Sequence, residues 1–415
     1  MYLPRLADDS IKSALGSSGA VLLEGPRFCG KTETARHHSQ SWIYLDRLPG
    51  AAELANLNPS GILAGAKPRL IDEWQIAPDI WNHVRHSIDE SQEKGQYILT
   101  GSAAAKPATN RHPGSGRIQR LRMRPMTLEE SGLSSGTYKL SSLFAGSQTG
   151  RENTEPVSFS ALVDQICIGG WPSLLGLPAK EAQKVLRSYL QDVVTIDFAT
   201  LDGPSDSQIA KRILTAIART VGQKTPVSKI LELVVSSGSA IKHQTAQSYV
   251  TQFQKLWITE EIEAWVPQLR SRYTVNQASK RYLTDPSLAV GALSASPAKL
   301  GQDLKTLGFL FENLVARDLL SMMDHLGGQV RHYRDESGLE VDFIVENDEG
   351  SWGAIEVKLG YSSAALAADN LLKFSERVDT QVVGKPAFLA VVTNTDFSYQ
   401  RPDGVHIISM AALGA

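Results

Sequence analysis

Two short segments carry residue types whose spacing could do chemistry on a nucleotide. In Gly25-Pro26-Arg27-Phe28-Cys29-Gly30-Lys31-Thr32, four residues separate two glycines, and a lysine and a hydroxyl follow at once. Glycine permits backbone conformations and close approaches that a Cβ would block, so successive N–H groups can point at phosphate oxygens. Lys31 would set a cation near the β and γ phosphates, and Thr32 a hydroxyl on Mg²⁺. Pro26, Arg27 and Cys29 fill the variable positions, with Arg27 either an added phosphate contact or a solvated side chain. The pattern predicts ATP and Mg²⁺ as cofactors.

Leu70-Ile71-Asp72-Glu73 is an apolar run that ends in two carboxylates. Asp72 is expected to hold the metal through its water shell, and Glu73 to be the base that polarises attacking water. The alternative is two acids opening a helix, where acids are common. Thr100 and Ser102 end a further apolar run and read either as hydrogen-bonding sensors of the γ phosphate or as turn caps. Arg117 precedes a basic stretch of Arg120, Arg122 and Arg124. One of these is a candidate to stabilise transition-state charge, in cis or from a neighbouring subunit; a solvated strand face is the competing reading.

A second set of charged residues lies far along the chain. Glu312 falls in a helical stretch, Asp342 follows Val341 in a strand pattern, and Glu356-Val357-Lys358 alternates on the next strand. Period two puts Glu356 and Lys358 on one face. Charged residues on an edge strand are often only solvated. Basic and aromatic residues interleave at Lys255, Trp257, Arg270, Arg272, Tyr273, Lys280, Arg281 and Tyr282, which suits either a nucleic-acid surface or an ordinary mixed one.

The elements that must position these residues follow from periodicity. Apolar runs at 20–24, 42–45, 69–71 and 97–99 read as buried strands with helical stretches between them, which predicts a parallel sheet with its ligand site at the carboxyl ends. Residues 134–158 turn to Ser, Gly, Thr and Asn, a surface loop or domain boundary. Beyond it a Gly169-Gly170-Trp171-Pro172 turn precedes a helical pattern over 181–198. Helical segments over 207–256 and alternating stretches at 261–266 and 273–276, which could pair as a hairpin, suggest a winged-helix module or plain connectors. From 278 the pattern is α/β again: helix 307–323, strands 330–334, 341–346 and 352–358, helix 362–374, strand 387–392. The expected division is 1–155, 156–276 and 277–415.

At 415 residues two or three domains are expected. Hydrophobic residues at 42% and charged residues at 21% exclude a chain disordered throughout. The net charge of −2 neither supports nor excludes a nucleic-acid partner. Two distant cysteines, Cys29 and Cys167, indicate neither a disulfide framework nor a zinc site. With no signal-like start and no apolar run of about 18 residues, a cytoplasmic location without membrane contact is expected.

Taken together, GPRFCGKT, LIDEWQ, LTGS and GRIQRLRMRPMTLEESG closely resemble prokaryotic AAA+ ATPases with an AAA_14 domain followed by a DUF4143 region, and the likeness runs over nearly the whole chain. In that family the segment Gly116 to Gly132 closes the ATPase domain, and the turn Gly169 to Pro172 opens the next region; Trp171 stands where phenylalanine or tyrosine is also usual. The resemblance implies an α/β P-loop nucleotide domain, a winged-helix element and a C-terminal restriction-endonuclease-like fold of the PD-(D/E)xK type. By that likeness Asp342 and Glu356 would be metal ligands, Glu312 a helper and Lys358 the activator of water, with Val341 in place of the proline that names the motif. The function implied is an ATP-hydrolysing, nucleic-acid-associated machine acting on DNA or RNA, with a homo-oligomer or protein partner. The competing reading is a signalling, defence or toxin–antitoxin ATPase whose C-terminal domain is a non-catalytic scaffold.

Overall fold

The computed structural model describes residues 2–101, 114–148, 151–154, 157–236, 238, 241–266 and 278–415. They divide into two compact units, Met1–Pro125 with Lys255–Trp257, and Met126–Gln254 with Ile258–Ala415.

In the first unit, helix α1 (Ala7–Ser17) leads into β1 (Ala20–Glu24), the glycine-rich turn and α2 (Lys31–His37). Strands β2 (Ser41–Tyr44) and β3 (Arg69–Asp72), helix α3 (Ile80–Ser91), and strands β4 (Tyr97–Gly101) and β5 (Ile118–Arg122) follow. The strands form one sheet in the order β2-β3-β4-β1-β5, every pairing parallel. Ala20 to Leu23 are wholly buried, as a strand covered on both faces requires, so a continuous apolar run is the right sequence signal for it. Helix α3 buries Ile80, Trp81, Val84 and Ile88, a single apolar stripe, against Leu22, Ile71 and Leu99 of the sheet core.

The second unit begins at Met126, so the boundary expected at 155 falls inside it. Residues 134–158 read as a loop by composition, yet β6 (Tyr138–Lys139) pairs in parallel with β16 (Leu413–Gly414), and β7 (Glu152–Asn153) pairs with β14 (Phe397–Gln400). Short strands whose backbone bonds go to distant partners leave no periodicity to read.

Helices α4 (Phe159–Ile168), α5 (Ala179–Asp192), α6 (Ser207–Arg219), α7 (Val227–Val235) and α8 (His243–Lys255) follow. Asp206 caps α6 by accepting from Gln208 N and Ile209 N, and its buried face is Ala210, Ile213, Leu214 and Ile217. The helical pattern expected over 181–198 continues past α5 as a π turn, Val193–Asp197.

The ribbon that closes this run differs from expectation. Strand β8 (Thr259–Ile262) pairs antiparallel with β9 (Lys280–Leu283), and residues 273–276 lie outside the described residues. Lys280-Arg281-Tyr282-Leu283 does not alternate as a surface strand should, because all four residues are buried. The surface assigned to Lys280, Arg281 and Tyr282 from sequence is therefore corrected: their polar ends are matched inside the unit.

Helices α9 (Pro286–Ala292) and α10 (Leu304–His325), strands β10 (Gln329–Arg334), β11 (Glu340–Glu346) and β12 (Trp352–Lys358), helix α11 (Ala364–Arg377), and strands β13 (Phe388–Thr393), β14 and β15 (His406–Ser409) complete the chain with β16. Their sheet runs β10-β11-β12-β13-β15-β14-β7, antiparallel across β10, β11 and β12 and parallel from β12 through β15. Trp265, Trp352 and Phe374 centre its core, the two indole rings 4.9 Å apart.

The end of the Gly116 to Gly132 segment and the Gly169 to Pro172 turn, both named with the family resemblance, meet here. Arg317 of α10 donates to Asp285 Oδ2 at 2.9 Å and lies 2.7 Å from Asp318 Oδ1. Asp285 Oδ2 also accepts from Gly170 N, and Asp318 Oδ2 from Leu128 N. Trp171 donates its indole N–H to Ser287 Oγ, and Thr127 and Glu130 exchange backbone-to-side-chain bonds as in a capping box. A Cβ on Gly170 would lie 2.0 Å from Met126 O, so this turn admits no larger residue.

Candidate active site

The carboxyl ends of β1, β3 and β4 bring one group of predicted residues together. Gly25 has φ +154°, and a Cβ there would sit 2.1 Å from Met123 O, so glycine is required by the closeness of the β5 exit. Phe28 and Gly30 also have positive φ, at 66° and 101°, which turns the loop back over itself ahead of α2. Lys31 is buried and folds over the loop, its Nζ donating to Gly25 O at 2.9 Å and Pro26 O at 2.7 Å. Those carbonyls hold the ammonium at the mouth of the loop. Cys29 is buried with its Sγ toward Met123 O, whereas Arg27 is exposed. Arg5, not singled out from sequence, donates to Cys29 O and Arg124 O at 2.8 Å each and so ties the loop to the β5 exit.

Thr32 Oγ1 donates to Asp72 Oδ1 at 3.0 Å, and Thr100 Oγ1 donates to the same oxygen. Burial pushes the Asp72 carboxyl up, against the pull of the two hydroxyls. A hydroxyl and a carboxylate at the mouth of this loop are hard oxygen donors of the kind Mg²⁺ takes, the remaining positions falling to water and phosphate, so the residues present fit the metal. Glu73 has a left-handed backbone, φ 53°, and accepts from Gln75 Nε2. A Cβ on Gly101 would lie 2.7 Å from Gln75 Oε1, so the end of β4 packs directly on the residue that holds Glu73. Ser102 lies outside the described residues.

Arg117 is not brought to this end. Ile118 pairs with Ala20 and Arg122 with Glu24, so Arg117 stands at the amino end of the strands, away from the loop, bonded to Asp89 Oδ1 at 2.8 Å. Arg120 pairs with Glu24 and Arg122 stacks over Trp257. Of the basic stretch, Arg122 and Arg124 are carried furthest toward the loop.

The second unit gathers Glu312, Asp342, Glu356 and Lys358 into one centre, with a residue that sequence reasoning had placed on the surface. Lys280 is 2% exposed, and its Nζ lies 2.9 Å from Glu340 Oε1 and 3.3 Å from both Glu312 Oε1 and Asp342 Oδ1. Lys358 Nζ is 2.6 Å from Glu356 Oε2 and 3.6 Å from Asp342 Oδ2. Asp342 Oδ2 accepts from Val357 N, Glu356 Oε1 from Asn370, and Glu312 Oε1 from the Tyr282 hydroxyl. Burial and the Asp342 charge push Glu312 up to about 7 and Glu356 up to about 8. Burial alone would raise Asp342, but Lys280 and Lys358 hold it below the ordinary carboxylate range.

This arrangement does not fit a resident divalent ion. Both oxygens of Asp342 are engaged, an ammonium already stands among the carboxylates, and no group of three or more His, Cys, Asp or Glu side chains among the described residues is placed to hold a metal. Glu312, Asp342 and Glu356, expected as metal ligands or helper, are brought together here around Lys280 and Lys358. Of the two lysines, Lys280 is the one whose charge the sequence pattern did not bring to β11 and β12. Among the described residues no helix is long and apolar enough to cross a membrane.

Comparisons with known proteins place three family models along the chain: an AAA domain over residues 17–132, a domain of unknown function (DUF8612) over 160–299, and another (DUF4143) over 307–413. No curated protein matches. Among solved structures, the Walker-type ATPase paby2304 of Pyrococcus abyssi is similar at 15% identity, TM-score 0.45, over 70% of this chain and 96% of that one. The Aeropyrum pernix Orc1 protein in complex with DNA is similar at 14% identity, TM-score 0.25, over 71% and 94%. The AAA domain model matches residues 17–132, and the Gly25–Thr32 loop lies within that span.

Proposed function

We propose that the chain binds ATP with Mg²⁺ at Gly25 to Thr32 and hydrolyses it, and that nucleotide state acts on a nucleic-acid-associated second unit. The observation that carries this reading is the meeting of Thr32 and Thr100 on Asp72 Oδ1 beside a lysine that hangs over the glycine-rich turn. Lys31 exchanges the Gly25 and Pro26 carbonyls for phosphate oxygens when the triphosphate enters. Thr32 would hold Mg²⁺ directly and Asp72 through its water shell, and the ion would supply positive charge to the phosphates. Glu73 accepts a proton from water as the water oxygen bonds to the γ phosphorus and the bridging β–γ bond breaks. Thr100, with Ser102, senses the terminal phosphate, and an arginine of the Arg117 to Arg124 stretch serves the site of its own or a neighbouring subunit.

Three helices, α6 to α8, followed by the β8–β9 ribbon support reading residues 156–276 as a helical linker with a winged-helix element. One helix, three antiparallel strands, a helix and a parallel strand support a restriction-endonuclease-like core in 277–415. DNA or RNA and further copies of this chain are the partners this reading implies. Turnover of ATP by wild type against Glu73→Gln and Lys31→Ala tests it; equal hydrolysis in all three would sink it.

The scaffold reading of the C-terminal part is favoured by one observation, the burial of Lys280 Nζ among Glu312, Glu340 and Asp342. Mg²⁺-dependent cleavage of DNA or RNA that disappears in Asp342→Ala and Lys358→Ala would reject it.

A further inference from the structure

Strand β14 carries Phe397-Ser398-Tyr399-Gln400, in which period two puts Phe397 and Tyr399 on one face and sends Ser398, wholly buried, to the other. Its antiparallel register with β7 matches Phe397 to Asn153 and Ser398 to Glu152, and one step further brings Arg151 opposite Tyr399. A third ring arrives from the turn Tyr361–Ser363, between β12 and α11. The Tyr361 and Tyr399 hydroxyls lie 3.1 Å apart, and the Tyr361 ring stands edge-on to Phe397 at 5.6 Å. Together with Gln400, these side chains line an open cleft of about 550 Å³ in the second unit, within the span of about 300–1,000 Å³ usual for ligand sites.

Aromatic rings grouped this way ordinarily close on one another as core, yet Tyr361 is 53% exposed and Phe397 and Tyr399 are only half-buried. Charge sets what they suit. The Arg151 guanidinium lies over the Phe397 ring, 5.2 Å from its centre, and makes no hydrogen bond among the described residues, so its donors are left to solvent or to a ligand. Arg401, by contrast, is spent on Asp403 at 2.7 Å. Among the described residues no Asp or Glu lines the cleft. Burial and the bond to Tyr361 push the Tyr399 hydroxyl up to about 12, with Arg401 and Arg151 pulling the other way, so this phenol is a neutral hydrogen-bonding group at neutral pH. Rings beside an unmatched guanidinium disfavour a cationic ligand and suit one that is flat and anionic.

We propose that this cleft binds single-stranded nucleic acid, one base stacking against the Tyr361 ring and an adjacent phosphate taking the Arg151 guanidinium held over Phe397. Stacking accepts any base, because every base has a π face, and an arginine fork matches phosphate oxygens. A duplex keeps those faces stacked inside, so the cleft selects single strands over double ones. A proline-rich peptide also packs on aromatic grooves, but it would leave Arg151 without a counter-charge. The site deepens the nucleic-acid reading proposed above and rests on it, and it uses none of Lys280, Lys358 or the carboxylates around them.

The experiment is fluorescence anisotropy of the full chain with labelled oligothymidylate and oligouridylate of about 12 nucleotides, and with a duplex of the same length, over a range of salt. Wild type is expected to bind the single strands at least about tenfold tighter than the duplex. Tyr361→Ala is expected to weaken single-strand binding by about five- to a hundredfold, and Tyr361→Phe to keep it within about twofold. Arg151→Gln is expected to lower the slope of log Kd against log salt by about 0.7, the share of one phosphate contact on a single strand. The two oligomers tell DNA from RNA, and preference for either supports the site. Single-strand binding unchanged in both Tyr361→Ala and Arg151→Gln overturns the site and leaves the nucleic-acid reading standing, whereas a wild type that binds neither single strand nor duplex overturns both. A proline-rich peptide bound by wild type in place of the single strands, and lost in Tyr361→Ala, assigns the cleft to peptide and likewise overturns the proposal.

Discussion

Arg317 Nη1 donates to Asp285 Oδ2 at 2.9 Å, with both side chains all but sealed from water. Around this pair are tied Gly170, through Asp285, and Leu128, through Asp318. Removing one partner strands a buried charge. Asp285→Ala is therefore expected to lower stability by about 3–5 kcal/mol, read from urea denaturation. Replacing Asp285 and Arg317 together by Leu and Met should recover part of that loss. A single-variant loss below about 1 kcal/mol would show the network to be ornamental.

The proposed nucleotide site separates binding from chemistry. Lys31→Ala is expected to weaken ATP binding by about tenfold or more, because a charge-assisted contact is lost. Glu73→Gln should bind ATP as wild type does and turn it over about 10²–10⁴ times more slowly. Calorimetry and phosphate release read the two effects. Removing Mg²⁺ with a chelator should abolish release in every variant, and turnover that persists without the metal would contradict the roles given to Thr32 and Asp72.

Gly25 offers a test of shape alone. Gly25→Ala forces a methyl to within 2.1 Å of Met123 O at a φ of +154°, so the loop must move. We expect about tenfold weaker ATP binding and about 1–3 kcal/mol lost from thermal stability. Gly16→Ala, in α1 with open space around it, serves as the control and should leave both unchanged or raise stability slightly. Identical behaviour of the two variants would refute the close approach.

His332 predicts a pH dependence. Burial, with Lys280 and Lys224 nearby, lowers its pKa from 6.5 to about 4. Between these values the unfolded chain binds a proton that the folded chain refuses, so stability falls as pH drops from 6.5 to 4, by on the order of 3 kcal/mol for this group. Asp318, raised to about 6, acts in the opposite sense over part of that range, as the folded state then takes the proton first. The reading is therefore the difference between wild type and His332→Gln across pH 4 to 7. A difference that does not change with pH in that window disproves the claim.

The sheet and loop around Gly25 to Thr32 were largely legible because the strands are buried on both faces and the loop is specified by local chemistry. Ala20 to Leu23 is apolar without interruption, and Gly25 to Thr32 carries the required conformations in its own residues. The elements from α10 to β13 likewise lie where periodicity placed them. What stayed hidden depends on distant partners. Lys280 and Arg281 look like surface residues until Glu312, Glu340 and Asp342 face the one and Glu261 the other. Arg5 shows no periodic or motif signal, because its partners are backbone oxygens of residues 29 and 124. Arg117 sat in the right stretch, but strand register alone decides which end of the sheet it reaches.

The pairing of β6 with β16 sets an order of events during synthesis. Tyr138 N bonds to Ala412 O, Ser134 Oγ to Leu413 O, and Ala415 N to Glu129 Oε2, so residues 129–139 wait for partners made almost three hundred positions later. Chain emerging from the ribosome must carry these exposed donors and acceptors through most of translation. The second unit can close only after residues 411–415 have left the exit tunnel. A chain stalled short of that point would present an unfinished edge, its donors and acceptors on residues 129–139 still unmatched.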